Sequence, residues 1–212
     1  MWRSSLIAGF TALAVFLLAN PAAPFAAPIT HAGLVFSDEL GGFNLVSVAG
    51  SGSLDDPFVV VEEVSGDRAI ALTIRNFSRD FGNRIGSQHV SAFAVKKIVI
   101  NKSDRVWRNY QMELREVTTR HSPYGDGLSF GQNSYIGTNY TRSNFSNIQR
   151  FDEPEDTLGF SGGEIAPGQQ AEFSFIISDM SPVSVFYLMQ LPMQPLSGVP
   201  APDAPFWASN IK

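Results

Sequence analysis

Ser129 is the first residue to weigh as a nucleophile. It stands at the centre of "GLSFG" (127–131), the G-x-S-x-G spacing of a nucleophile elbow, with His121 eight residues earlier. An elbow exposes its hydroxyl on a sharp turn between a strand and a helix. Here "SPYGDG" precedes the serine and a Gly/Asn/Ser-rich stretch without helical period follows. A Gly- and Ser-rich loop produces this match by composition alone. The chain is therefore not expected to be an enzyme, and a serine hydrolase using Ser129 stands as the remote alternative.

Metal chemistry has less to work with. The three histidines, His31, His89 and His121, are scattered, and there is no cysteine. Neither an H-E-x-x-H pair nor a Cys/His cluster exists to hold zinc. "FDEPEDT" (151–157) offers Asp152, Glu153, Glu155 and Asp156 as oxygen donors, but lacks the spaced acidic ligands and glycine of a dedicated calcium loop. It reads as a solvated acidic turn. "GSGS" (50–53) has no lysine to make a phosphate cradle. No cofactor and no metal site are expected. The sequons at Asn76, Asn101, Asn139 and Asn144 reflect the abundance of Asn in loops.

Recognition is the remaining chemistry, and "SFGQNSYIGTNYTRSNFSN" (129–147) has the composition for it. Arg142 is its one charge, yet it carries Phe130, Tyr135, Tyr140 and Phe145. Tyr gives contact area at low entropic cost, and Ser and Asn give adaptable hydrogen bonds. About 40 residues separate the strand ending near Val117 from the one near Leu158, and connections longer than about 15 residues are functional or disordered as a rule. Disorder disfavours aromatics. An ordered excursion is therefore expected, with Tyr124, Asp126, Tyr135, Tyr140, Arg142 and Phe145 as candidate binding residues. A competing role stays open for Phe130, Tyr135 and Phe145: folding back as an extra hairpin over one sheet, with "YIGTNYT" (135–141) as its turn.

The elements that must position this excursion have period two. "AIALTIR" (69–75) aligns Ile70, Leu72 and Ile74, and "NYQMELRE" (109–116) aligns Tyr110, Met112 and Leu114 opposite Gln111, Glu113 and Arg115. "QAEFSFIIS" (170–178) aligns Ala171, Phe173, Phe175 and Ile177. Such alternation marks half-buried strands. "PFVVVEEV" (57–64) and "VSVFYLMQL" (183–191) are apolar on both faces, which suits inner strands; the second would invite pairing between chains if it lay uncovered at an edge. In "AFAVKKIVIN" (92–101), Phe93 and Val95 have one parity while Ile98 and Ile100 have the other, so a β-bulge is expected at Lys96-Lys97. Turns are expected at "GSGSLDDP", "NKSD", "SGG" (161–163), "APG" and "SDMSP". Short connections imply antiparallel strands in a two-sheet β-sandwich, all-β, with Trp107 in its core.

The N-terminus predicts export. Arg3 precedes the uncharged run "LIAGFTALAVFLLA" (6–19), which is short for a membrane span and right for a secretory leader followed by "NPAAPFAAP". Residues 1–27 are assigned to the leader, with processing as late as Ala32, then one domain over 33–192 and a Pro-rich tail over 193–212. Of 15 basic residues only Arg3 lies in the leader, which leaves 14 against 20 acidic ones and a net charge of −6. That balance disfavours a nucleic-acid partner. Without cysteine, neither disulfides nor a lipid-modified cysteine can hold or anchor the chain.

"VKKIVINKSDRVWRNYQMELRE" (95–116) resembles the strand–turn–Trp–strand of uncharacterised bacterial exported Ig-like domains, the kind found in proteins with interchangeable C-terminal anchors of the PEP type. "DTLGFSGGEIAPGQQAEFSFIISD" (156–179) and "FYLMQLP" (186–192) resemble their closing half. The resemblance implies an Ig-like or fibronectin-like sandwich and is silent on chemistry. The tail "SGVPAPDAPFWASNIK" (197–212) lacks the apolar span and Arg cluster of that anchor, so a released periplasmic or extracellular protein without a transmembrane anchor is expected. Its expected partner is a protein or polysaccharide of the cell envelope, a carbohydrate-binding module being the alternative.

Overall fold

The computed structural model describes residues 27–131, 135–151 and 156–193. Residues 1–26 of the leader and 194–212 of the tail thus lie outside the described residues, as does most of the acidic turn. The chain opens with β1 (Ile29–His31), β2 (Leu34–Ser37), β3 (Phe43–Ala49), β4 (Phe58–Val64) and β5 (Ile70–Arg75). Two long strands follow, β6 (Ser91–Asn101) and β7 (Trp107–Arg115). The excursion then contributes a 3-10 turn at Tyr124–Asp126, β8 (Leu128–Ser129), α1 (Tyr135–Tyr140), β9 (Arg142–Ser143) and β10 (Asn147–Phe151). β11 (Thr157–Ile165), β12 (Gln170–Asp179) and β13 (Val185–Met193) close the fold.

These strands form two open sheets, an all-β arrangement consistent with a β-sandwich. One sheet has the order β1-β2-β5-β13-β7-β11-β10, and the other β3-β4-β6-β12-β8 with β9 also on β12. The expectation of wholly antiparallel pairing fails at one pair of the described strands: β4 and β6 run parallel, with Phe58 opposite Val95 and Val64 opposite Asn101. Between them the chain crosses to the other sheet to make β5 and then returns, so β6 re-enters in the direction of β4. β13 lies between β5 and β7, so its apolar faces are covered rather than left at an edge. β1 pairs with β2, and His31 bonds the Gly50 carbonyl at 2.8 Å, so folded structure starts ahead of residue 33.

The predicted alternation builds the core. Ile70, Leu72 and Ile74, then Tyr110, Met112 and Leu114, face Ala171, Phe173, Phe175 and Ile177 across the sheets, all buried. Trp107 is buried, 5.9 Å from the Tyr110 ring, and Phe173 packs on Tyr110 at 4.8 Å and on Phe160 at 4.6 Å. Each such aromatic contributes roughly 1.5–3 kcal/mol through burial.

The bulge expected at Lys96-Lys97 is absent. β6 runs in unbroken register with β12 from Ser91–Asp179 to Ile100–Gln170. The parity conflict is resolved differently: Phe93, Val95, Lys97 and Val99 all face the core, and Ile98 and Ile100, on the opposite face, are half-buried. A lysine therefore stands in the hydrophobic layer, and Glu62 of β4 stands beside it, both fully buried. Lys96 points the other way and pairs with Glu172 at 3.3 Å. Register shifts occur instead at Leu45/Ser47 in β3 and at Ser161/Ile165 in β11. "SGG" is thus an irregularity inside β11 rather than a turn between strands. Gly162 has φ +76°, and a Cβ there would collide with the Ser146 hydroxyl.

Candidate functional site

The excursion after β7 passes from one sheet to the other and back. β8 pairs with the C-terminal end of β12, Leu128 opposite Asp179 and Ser129 opposite Ser178. β9 pairs with β12 further along, Ser143 opposite Phe173. α1 lies between them. β10 then returns to the first sheet and pairs with β11, from Asn147–Ser161 to Phe151–Thr157. The flank of the sandwich beside β12 is in this way covered by its own loop.

The segment 135–141 is a helical turn, not the hairpin turn expected of it. Ile136 and Tyr140, four residues apart, project from one face and pack with Ile85, Ala92, Ala94 and Ile176 on the outer side of the second sheet. Gly137 permits the approach, since a Cβ would meet the Gly131 backbone. The Thr141 hydroxyl donates to the Gly137 carbonyl at 2.9 Å and ends the helix. Tyr140, a candidate binding residue, is consequently half-buried, and burial pushes its hydroxyl pKa up.

Phe145 corrects the candidate list more sharply. It is 3% exposed, with its ring stacked 6.1 Å from Phe173, so it is a core residue rather than a contact residue. Phe130 is likewise buried, edge-on to Phe175 at 5.5 Å. These two phenylalanines fold back because each has an aromatic of β12 to meet. Arg142 is exposed, with its guanidinium donating to the Thr141 carbonyl at 2.8 Å. Asp126 is half-buried and accepts from the Leu128 amide at 3.0 Å. The side chains of Tyr124 and Tyr135 lie outside the described part of the structure.

Ser129 is 1% exposed on β8, with its hydroxyl 3.3 Å from that of Ser178. His121 is turned elsewhere, with Nδ1 2.7 Å from Glu113 Oε1. Glu113 also accepts from Arg115 Nε at 2.5 Å and from its Nη2 at 3.0 Å, while Arg115 Nη1 donates to the Thr118 carbonyl at 2.9 Å. Burial pushes the Glu113 carboxyl pKa up, against the pull of Arg115 and His121. A histidine backed by a carboxylate can carry a proton or hold a metal through its other nitrogen. Among the described residues no group of three or more His, Asp or Glu is placed to hold a metal ion. What the trio does is fasten the start of the excursion to β7. Alternation predicts a solvent face for Glu113 and Arg115, but the chain after β7 folds back over them and both are buried.

A second polar cluster escaped the sequence reading. Asp179, at the end of β12, is fully buried and accepts from the Ser181 amide at 2.7 Å, while its Oδ2 has no hydrogen-bond partner. Asp126 Oδ2 is also buried without one. Desolvation first, then the charges of Glu116 and Asp126, push Asp179 up to about 7. Glu116 is itself raised by burial and by Asp126. Asp179 is far in sequence from Glu116 and Asp126 and meets them because β8 docks on β12.

What the excursion presents outward is β10. It is the terminal strand of its sheet, and no described strand pairs with its far side. Asn147, Ile148, Gln149 and Phe151 are exposed, the two apolar ones at 39% and 52%. The acidic turn that follows lies outside the described residues except for Asp156, which is buried and whose carbonyl accepts from the Leu114 amide at 3.0 Å. No described helix is long and apolar enough to cross a membrane. Comparison with protein-family models, with curated proteins and with solved structures finds no match to this chain.

Proposed function

We propose that this chain is a non-catalytic, exported β-sandwich module of the Ig-like or fibronectin-like kind that binds a protein of the cell envelope through its 120–152 excursion. The observation that carries the reading is β10. An exposed terminal strand offers a row of backbone donors and acceptors to an extended segment of another chain, and its side chains select which segment fits. Ile148 and Phe151 supply apolar contact there, and Arg142 lies exposed in the same excursion. The polysaccharide reading would rest on several displayed rings, and most of the described ones do not favour it: Phe130 and Phe145 are core residues and Tyr140 is half-buried, which leaves Phe151 exposed. A hydrolase would need a reachable Ser129, which strand pairing and burial oppose.

The test is retention of the purified protein on envelope fractions of the organism that makes it. Binding that disappears after protease treatment of the fraction, and in the Ile148→Lys/Phe151→Lys variant, supports the reading. Binding that resists protease and is lost after glycan digestion replaces it with a carbohydrate-binding module. No retention on any fraction overturns it.

A further inference from the structure

Four polar side chains stand in a row inside the core. Lys97 and Glu62 touch through Nζ and Oε1. Glu62 Oε2 accepts from Gln190 Nε2 at 3.0 Å, and Gln190 Oε1 accepts from the Tyr110 hydroxyl at 2.8 Å. None of the four is more than 1% exposed. The row spans both sheets, with Lys97 and Glu62 on β6 and β4, and Gln190 and Tyr110 on β13 and β7.

Packing does not explain such a row. Removing an ammonium and a carboxylate from water costs several kcal/mol per ion, and replacing such a pair with apolar groups is often neutral or stabilising. Lys97 Nζ, although it touches Glu62, makes no hydrogen bond of proper geometry. Burial pulls the Lys97 amine pKa down, against the opposing effect of Glu62. Transfer of the proton between them leaves a neutral amine beside a neutral carboxyl, and a neutral amine is a nucleophile. The group bound to the other oxygen of the same carboxylate is a carboxamide, which an amine can attack.

We propose that Lys97 and Gln190 become joined by an amide bond across the two sheets, with Glu62 as proton carrier and Tyr110 as donor to the reacting carbonyl. Lys97 Nζ forms a bond to Gln190 Cδ. Glu62 gives its proton to the leaving nitrogen and takes one from the attacking nitrogen. The Cδ–Nε2 bond breaks, and ammonia leaves. The products are a secondary amide, ammonia and a neutral Glu62 carboxyl, so no charge is created in the core and no oxidant or co-reactant is needed. Negative charge that builds on Oε1 during attack meets the Tyr110 hydroxyl already bonded to it. Burial pushes that hydroxyl pKa well above its ordinary value, which keeps it a donor. Confinement of amine and carboxamide on one carboxylate replaces a bimolecular encounter. The bond would give a cysteine-free chain a covalent tie between β6 and β13.

Intact-mass measurement of the purified protein, after its amino terminus has been read, decides the matter. The expected mass is that of the sequence less one ammonia, with protease digestion releasing a branched peptide that joins the Lys97 and Gln190 segments. Glu62→Gln, close in shape, is expected to restore the full sequence mass, and so is Lys97→Met. These variants serve as controls; the unmodified chain is the primary test and needs no substitution to fold. A wild-type mass equal to the sequence overturns the proposal. So does a loss of ammonia with Lys97 and Gln190 in separate linear peptides, or a loss of water with Lys97 joined to Glu62.

Discussion

Asp179→Asn should make the protein more stable at neutral and alkaline pH, although it removes a native side chain. In the fold the Asp179 carboxyl is raised from its ordinary 3.8 to about 7, because it is buried and faces Glu116 and Asp126. The unfolded chain releases that proton near 3.8, whereas the folded chain keeps it until about 7. Between those values the native state binds more protons than the unfolded state, so stability falls as pH rises and levels off above the folded value. A difference of about three pKa units at 1.36 kcal/mol each is about 4 kcal/mol of stability present in acid and lost by about pH 8. Asparagine has no proton to lose and can still accept from the Ser181 amide. The assay is urea unfolding of wild type and variant across about pH 4 to 8, with the slope m held as a check on the unfolded state. Glu113, raised by burial and not coupled to Asp179, adds pH dependence of the same sign in both proteins and cancels in the difference, whereas Glu116 is coupled to Asp179 and its share is part of what the difference reads. The expected difference is near zero in acid and grows to a few kcal/mol in favour of the variant at about pH 8. Parallel curves, or a variant less stable at alkaline pH, would refute the reasoning and mean that Asp179 is ionised and paired.

Other substitutions test the packing. Phe145→Ala should lower unfolding free energy by about 3–5 kcal/mol, as for a buried ring, whereas a displayed binding residue would change it by under about 0.5 kcal/mol. Ile148→Lys and Phe151→Lys, on an exposed strand, should leave the urea midpoint nearly unchanged, so any lost retention on envelope fractions reports binding. A chain beginning at Gly33 lacks β1 and the His31 bond to Gly50, and should unfold at a lower temperature than one beginning at Pro28; equal midpoints would show that β1 is dispensable. Gly137→Ala should weaken the docking of α1 on β12, read as faster amide exchange across Tyr135–Tyr140.

Much of the architecture was legible because burial follows parity. Tyr110, Met112 and Leu114 declare a core face, and Trp107 is an apolar body that a sandwich must enclose. Lys97 shows where parity misleads. A pattern that treats every charge as solvated needs a bulge to reconcile Phe93 with Ile98, but Glu62 and Gln190 come from strands distant in sequence and let the lysine face inward. Glu113 and Arg115 fail for a related reason, since the outer side of β7 is covered by residues that follow it. The excursion could be recognised by composition, but not the direction of its rings. Phe130 and Phe145 turn inward because Phe175 and Phe173 await them, which is a tertiary fact. The only local hint of α1 was Ile136 and Tyr140 four apart, too short a signal to stand alone.

The most direct test of the binding surface is hydrogen exchange across Asn147–Phe151, in the free protein and after addition of solubilised envelope protein. The outward amides of β10 should exchange rapidly in the free protein and slow when a partner pairs with the edge, while the core of β12 stays unchanged. Exchange at β10 that is identical with and without a bound partner, or already slow in the free protein, would contradict an open edge that works by pairing.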